Sequence, residues 1–143
     1  MRTPILATLL VLAGAAAPRP ARGQSVEDAA LRGAALKAAY LREMTAVGEP
    51  FTGRLAATAS ARWRVVLQAG RSYALAGRCD AGCHDLDLRL LGPDGAEVSA
   101  DVELDAEPLV RVVPRQSGSY ELRAYMADCR QPACTFVVRL MAR

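Results

Sequence analysis

The most chemically pointed residues in this chain are its four cysteines. Cys79-Asp-Ala-Gly-Cys83 and Cys129-Arg-Gln-Pro-Ala-Cys134 each bracket a short loop. Four thiolates could hold zinc, but these spacings differ from those of zinc knuckles, and the C-x-x-C motif of redox catalysts is absent. Disulfides are the chemistry that remains. Four cysteines allow three pairings, and the short spacings favour local closure, Cys79 with Cys83 and Cys129 with Cys134.

His84 is the sole histidine. A hydrolytic triad would have to be built around it, yet the chain has no Gly-x-Ser-x-Gly elbow and no His-Glu-x-x-His pair. Asp85 and Asp87 alternate with Leu86 and Leu88 and so share one face of a strand. As a glycosidase pair they would need a cleft with aromatic walls. Trp63 is the only tryptophan, and its place in an alternating strand assigns it to packing. The chain is therefore read as a non-enzyme. Asp80, Asp85 and Asp105 are weak candidates for a calcium site, which draws oxygens from several loops; no other cofactor is implied.

The elements that must position these residues are short strands. From Phe51 onward apolar residues recur every second position. Eight strands are expected: 51–56, 61–68, 72–77, 85–91, 97–102, 109–113, 119–126 and 135–141. Trp63, Val65 and Leu67 share one face of the second, with Arg62 and Arg64 on the other. Leu86, Leu88 and Leu90 point inward from the fourth, and Phe136, Val138 and Leu140 from the last. Ala69-Gly70-Arg71, Gly92-Pro93-Asp94-Gly95 and Gln116-Ser117-Gly118 are turn signals. Ser-Tyr-x-Leu opens the strand before each cysteine loop, at Ser72 and at Ser119. The fold class is all-β: an antiparallel β-sandwich or jelly roll of about eight strands with an N-terminal α-helix. The helix is expected over Ser25–Val47, with Ser25 as its cap and Gly48 and Pro50 ending it. Leu31, Leu36, Tyr40, Met44 and Val47 supply its apolar bulk.

The first residues read as an export signal. Met1-Arg-Thr is followed by an apolar run from Pro4 to Ala17, too short for a comfortable membrane span. Ala21-Arg22-Gly23 predicts cleavage before Gln24, and Ala15 stands where a lipidated cysteine would be. The organisation expected is a signal at 1–23, a helix and linker at 24–50, and a disulfide-stapled sandwich at 51–143. The full chain carries 18 basic and 15 acidic residues. Three of the arginines fall within the signal, which holds no acid, so the mature chain is formally neutral. No basic field remains for nucleic acid, and no membrane insertion is expected after cleavage. The near absence of lysine, with Lys37 alone, reads as a composition bias. About 120 mature residues bury roughly two thirds of their unfolded surface, enough for one core. Cysteines in an exported chain of that size mean disulfides, and the compartment is periplasmic or extracellular.

Three motifs together resemble a known family. Trp63-Arg-Val-Val-Leu-Gln-Ala-Gly70-Arg-Ser-Tyr73, then Asp85-Leu-Asp-Leu-Arg-Leu-Leu-Gly-Pro-Asp-Gly95, then Ser117-Gly118-Ser-Tyr120 are similar in order and spacing to bacterial pre-peptidase C-terminal domains. The likeness spans about residues 51–141. It implies a jelly-roll-like sandwich with an accessory role in targeting, binding or secretion. This chain departs from that pattern in its two cysteine loops, and no attached catalytic domain is expected.

Strand parity predicts where function sits. If consecutive strands run up and down, the third, fifth and seventh all exit at one end. That end gathers both cysteine loops and the segment after residue 102. It would carry Asp80, His84, Asp85, Glu103, Asp105, Glu107, Asp128 and Arg130, with Arg78 as a further counter-charge. Loops held on a rigid scaffold are where recognition usually lives. The expected role is binding a protein or cell-envelope component through this end. The alternatives are a purely structural envelope domain and a weak calcium-binding module.

Overall fold

The computed structural model describes residues 26–143, with side chains from Leu31 onward. The expected signal at 1–23, its cleavage site and the Ser25 cap lie outside the described residues. Among the described residues one helix, α1 (Val26–Leu41), precedes nine strands. These are β1 (Thr45–Ala46), β2 (Phe51–Leu55), β3 (Ser60–Leu67), β4 (Tyr73–Cys79), β5 (Cys83–Leu91), β6 (Glu97–Asp101), β7 (Leu109–Val112), β8 (Gly118–Cys129) and β9 (Cys134–Ala142). All eight expected strands are present.

The strands form two antiparallel sheets. One has the order β2-β9-β4-β7, with β1 extending the β2 side along β9; the other has the order β3-β8-β5-β6. With β1 set aside as an extension, two sheets of four strands in which the chain crosses repeatedly from one to the other are a jelly roll. The simple up-and-down path expected from the sequence is therefore corrected: β5 and β6 alone are both consecutive and paired with each other. Every pairing is nevertheless antiparallel, so strand direction still alternates along the chain from β2 to β9.

The core lies between the sheets and follows the period-two pattern. Leu86, Leu88 and Leu90 of β5 are fully buried, as are Leu67, Leu75, Leu122, Met126 and Val138. Each such side chain stabilises by about 1.5–3 kcal/mol relative to exposure. Arg62, Arg64, Arg89 and Arg111 alternate outward and are exposed. On the β2–β3 side, Trp63 stands between Phe51 and Phe136, with ring centroids 5.8 Å and 5.7 Å away.

Two expectations about the N-terminal segment are corrected. The helix ends at Leu41, not Val47. Residues 42–44 tighten into a turn, with Glu43 N–H donating to Tyr40 C=O and Met44 N–H to Leu41 C=O. Thr45–Ala46 then pair with β9, and Met44 is buried. Thr, Val and Gly at 45, 47 and 48 are poor helix formers, and the edge of β9 offers them backbone partners that a helix continuing into solvent does not. The segment read as linker thus contributes a short strand to the sandwich. Of the helix's apolar residues, Leu31 and Leu36 are 70% and 72% exposed, while Lys37, Tyr40 and Leu41 face the protein.

Those inward residues dock α1 over the outer surface of β9, β4 and β7. The Arg111 and Arg143 guanidinium groups lie 5.4 Å and 5.6 Å from the Tyr40 ring, within cation–π range. A cleft of about 420 Å³ separates the helix from the sheet, walled by Ala34, Ala38 and Leu41 on one side and Ala76, Pro108 and Val137 on the other.

Candidate functional site

Both cysteine pairs are local disulfides, Cys79–Cys83 and Cys129–Cys134, each with Cα atoms 5.9 Å apart. The cysteines are not loop residues, as the expected strand limits implied. They end or begin β4, β5, β8 and β9, and Cys83 is the register partner of Cys129. The two stapled turns, 80–82 and 130–133, therefore lie side by side at one end of the sandwich.

Asp80 locks them together. Its carboxylate accepts hydrogen bonds from the Gln131 side-chain amide at 3.0 Å and from Thr135 N–H at 2.8 Å, and from Gly82 N–H within its own turn at 3.2 Å. Backbone bonds reinforce the junction: Asp80 N–H donates to Thr135 C=O at 3.0 Å, and Arg130 N–H to Gly82 C=O at 2.9 Å. The Thr135 N–H, helped by those of Gly82 and the Gln131 amide, holds the Asp80 carboxyl below the usual range. A side chain at Gly82 would meet the Gln131 amide at 2.5 Å, so glycine is what admits Gln131 to this position.

The acidic set collects beside this junction. Asp85 is the register partner of Asp128, at a point where β5 and β8 slip register on either side of Asp85. The slip turns Asp85 partly inward: its Oδ1 is buried and accepts no hydrogen bond among the described residues. Burial pushes its carboxyl above the usual range, and the negative charges of Asp87, Asp105 and Asp128 push in the same direction. The segment after β6 runs alongside, with Leu86 N–H donating to Asp105 C=O at 3.0 Å and Cys79 N–H to Ala106 C=O at 3.3 Å.

Counter-charges divide this cluster. Arg78 pairs with Glu107 at 2.8 Å and Arg130 with Asp128 at 3.7 Å. Lys37 reaches from α1 to Asp105 at 2.8 Å and Asp101 at 3.2 Å, with Glu103 at 3.8 Å. Burial lowers the Lys37 pKa, but its bonds and charges with Asp105 and Asp101 outweigh that together and raise it. Asp101 in turn accepts Leu109 N–H at 2.7 Å, fastening β7. Lys37 carried no functional signal in the sequence beyond being the only lysine. Gln131 carried none, since nothing local announces its partner across 51 residues.

The structure thus places Asp80, His84, Asp85, Glu103, Asp105, Glu107, Asp128 and Arg130 at one end, in different roles. Asp80 and Asp105 are engaged by protein donors. His84 is exposed and makes no side-chain hydrogen bond among the described residues. The calcium candidates Asp80, Asp85 and Asp105 do not converge: among the described residues no three acidic, histidine or cysteine side chains are placed to share a metal ion. Thr58, in the neighbouring β2–β3 turn, adopts a left-handed φ of 65°, a strained conformation for a β-branched residue.

No family model matches the chain, and no curated protein matches it in sequence. Among solved structures it is similar to the periplasmic inhibitor of g-type lysozyme, PliG, from Aeromonas hydrophila. The identity is 12%, covering 68% of this chain and 88% of that one, with a TM-score of 0.47. A likeness that distant fixes neither a family nor a partner.

Proposed function

We propose that this chain is an exported, non-catalytic binding domain that engages a protein or envelope component through its cysteine-loop end. The observation that carries this reading is the Asp80 junction. It joins two disulfide-closed turns that are distant in sequence into one preorganised platform, and a platform already ordered loses less entropy when a partner docks. The platform is rimmed by carboxylates only partly matched by arginine, with Asp85 held unpartnered and Thr58 strained beside it, so the complementary partner surface is cationic. Two disulfides support an oxidising compartment. The single histidine, exposed and without a hydrogen-bonded serine or carboxylate among the described residues, supports a non-enzymatic role. The motif likeness to pre-peptidase C-terminal domains points to the same accessory class. Calcium is no part of this reading, because two of its three candidate carboxylates are committed to protein donors.

The test compares charge reversals at the two ends. Asp128→Arg combined with Glu107→Arg alters the platform; Arg115→Glu alters the turn after β7 at the opposite end. Capture of an exported-fraction partner is expected to be lost with the first variant and kept with the second. The reverse result would move the binding surface to the opposite end and sink the platform reading; no capture by the unaltered protein would leave a purely structural domain.

A further inference from the structure

The outer face of the β3-β8-β5-β6 sheet carries a charge pattern that folding alone does not call for. Arg62 on β3 stands opposite Arg123 on β8, and Arg123 stands opposite Arg89 on β5. Three exposed arginines therefore line up across three neighbouring strands. Like charges directly opposite in a sheet are destabilising. Arg89 is offset by Glu97 at 2.7 Å, and Arg123 by Glu121. The Arg123 hydrogen bond holds the Glu121 carboxyl below its usual range, and the charges of Arg62 and Arg64 add to the effect. Arg62 and Arg64 themselves make no ion pair among the described residues.

Both belong to β3, the edge strand of this sheet. Over its eight residues β3 pairs with β8 on one side and with no strand on the other among the described residues. Alternate N–H and C=O groups of Ser60–Leu67 thus point away from the sheet, which is a template for another strand. Val66, the next outward position after Arg62 and Arg64, is 75% exposed. Charges on an edge commonly prevent unwanted pairing. That accounts for Arg62 and Arg64 as edge charges; Arg123 and Arg89 lie on interior strands, where each is matched by a glutamate, and Glu121 also stands opposite Arg64, so the charge left over is at the β3 edge.

We propose that the β3 edge accepts an extended acidic segment of a partner protein as an added strand. Backbone bonds to β3 supply affinity, and alternating side chains supply selectivity, as in other strand additions. Outward positions of the incoming strand carry Asp or Glu against Arg62, Arg64 and the row behind them. Inward positions are apolar and cover the half-buried Trp63. A second copy of this chain, pairing through its own β3, is disfavoured because it would set arginine against arginine. This surface is separate from the cysteine-loop platform, so each can fail alone.

Trp63 is the only tryptophan, so its emission reports occupancy of the edge. The probe is a capped peptide alternating valine and glutamate, titrated into the disulfide-intact protein. A saturable change in emission is expected, weakened about tenfold or more by Arg62→Glu with Arg64→Glu and unchanged by Arg115→Glu. On the unaltered protein, the same peptide N-methylated at alternate amides keeps its charge but cannot pair, and is expected to bind at least about tenfold more weakly. A valine–lysine peptide is expected not to bind. Equal binding of the methylated peptide, or stronger binding by dextran sulfate than by the acidic peptide, overturns strand addition in favour of a general polyanion surface. No response to the acidic peptide overturns the proposal outright.

Discussion

Asp80 and Asp85 lie five residues apart, and their pKa values are shifted in opposite directions, Asp80 down by hydrogen bonds and Asp85 up by burial and by the charges of Asp87, Asp105 and Asp128. Asp80 accepts from Thr135, Gly82 and Gln131, so its ionised form is favoured; Asp85 is partly buried without a donor on Oδ1, so its ionised form is disfavoured. The lowered Asp80 pKa contributes stability that is present above the ordinary Asp value, about 4, and lost as pH falls through the folded-state value. Asp80→Ala is accordingly expected to lower the melting temperature at pH 7, with the difference from the unaltered protein shrinking under acid. The raised Asp85 pKa has the opposite sign. Its charge costs stability at neutral pH, and the cost is relieved as pH falls through the raised value. Asp85→Asn is expected to raise the melting temperature at pH 7, with the gain fading as pH falls through the raised folded-state value and gone by about pH 4. Thermal scans of both variants from acid to neutral pH check the two signs together; parallel shifts in the same direction would contradict these two causes.

At the scale of elements, β5 and α1 are held in contrasting ways. Leu88 on β5 is fully buried in the centre of the sandwich. Leu88→Ala is expected to cost about 2–5 kcal/mol in denaturant unfolding. Arg89→Ala, one residue along and facing outward, is expected to cost less than about 1 kcal/mol, the Glu97 pair being an exposed one. Among the described side chains, α1 is held by Tyr40 between two arginines, Leu41 against the sheet, and Lys37 among the 101–107 carboxylates. Removing Lys37 takes away the charge anchor while leaving the sandwich core untouched. Lys37→Ala is expected to speed hydrogen exchange in residues 31–41 markedly while leaving the unfolding midpoint of the sandwich within about 1 kcal/mol of its original stability. The raised Lys37 pKa places the anchor's full contribution below pH 10, and the helix is expected to loosen as pH rises past the lysine range.

Across the whole molecule the two disulfides are expected to behave as one unit. A short closed loop stabilises by about 2 kcal/mol on chain-entropy grounds. The Asp80 junction crosses from one stapled turn to the other, so opening either turn also loosens the other's contacts. Replacing Cys79 and Cys83 by Ala, and separately Cys129 and Cys134 by Ala, is expected to give losses that are not additive in the fourfold variant. Sites that share a hydrogen-bond network typically couple by 0.5–3 kcal/mol. Additivity within error in urea unfolding would show that the turns act independently, and the preorganised platform would go with it.

The sequence by itself determined what depends on near neighbours. Alternation of Leu86, Leu88 and Leu90 with charged residues assigned faces to β5, because a strand's side chains alternate whatever it pairs with. Four- and five-residue separations closed the disulfides locally. Strand parity brought the two turns to one end, because every pairing in the fold is antiparallel. What only the tertiary structure decided depends on which strands are neighbours and in what register. β1 formed within the segment read as helix, since the β9 edge supplied partners. Asp80 became a latch rather than a free carboxylate because Gln131 and Thr135 were brought beside it. Lys37 acquired three acidic neighbours from a segment more than 60 residues away. The Arg62–Arg123–Arg89 row exists only because β3, β8 and β5 pair in that order and that register. Burial along one strand is a local pattern; charge brought together across strands is set by the packing of the whole chain.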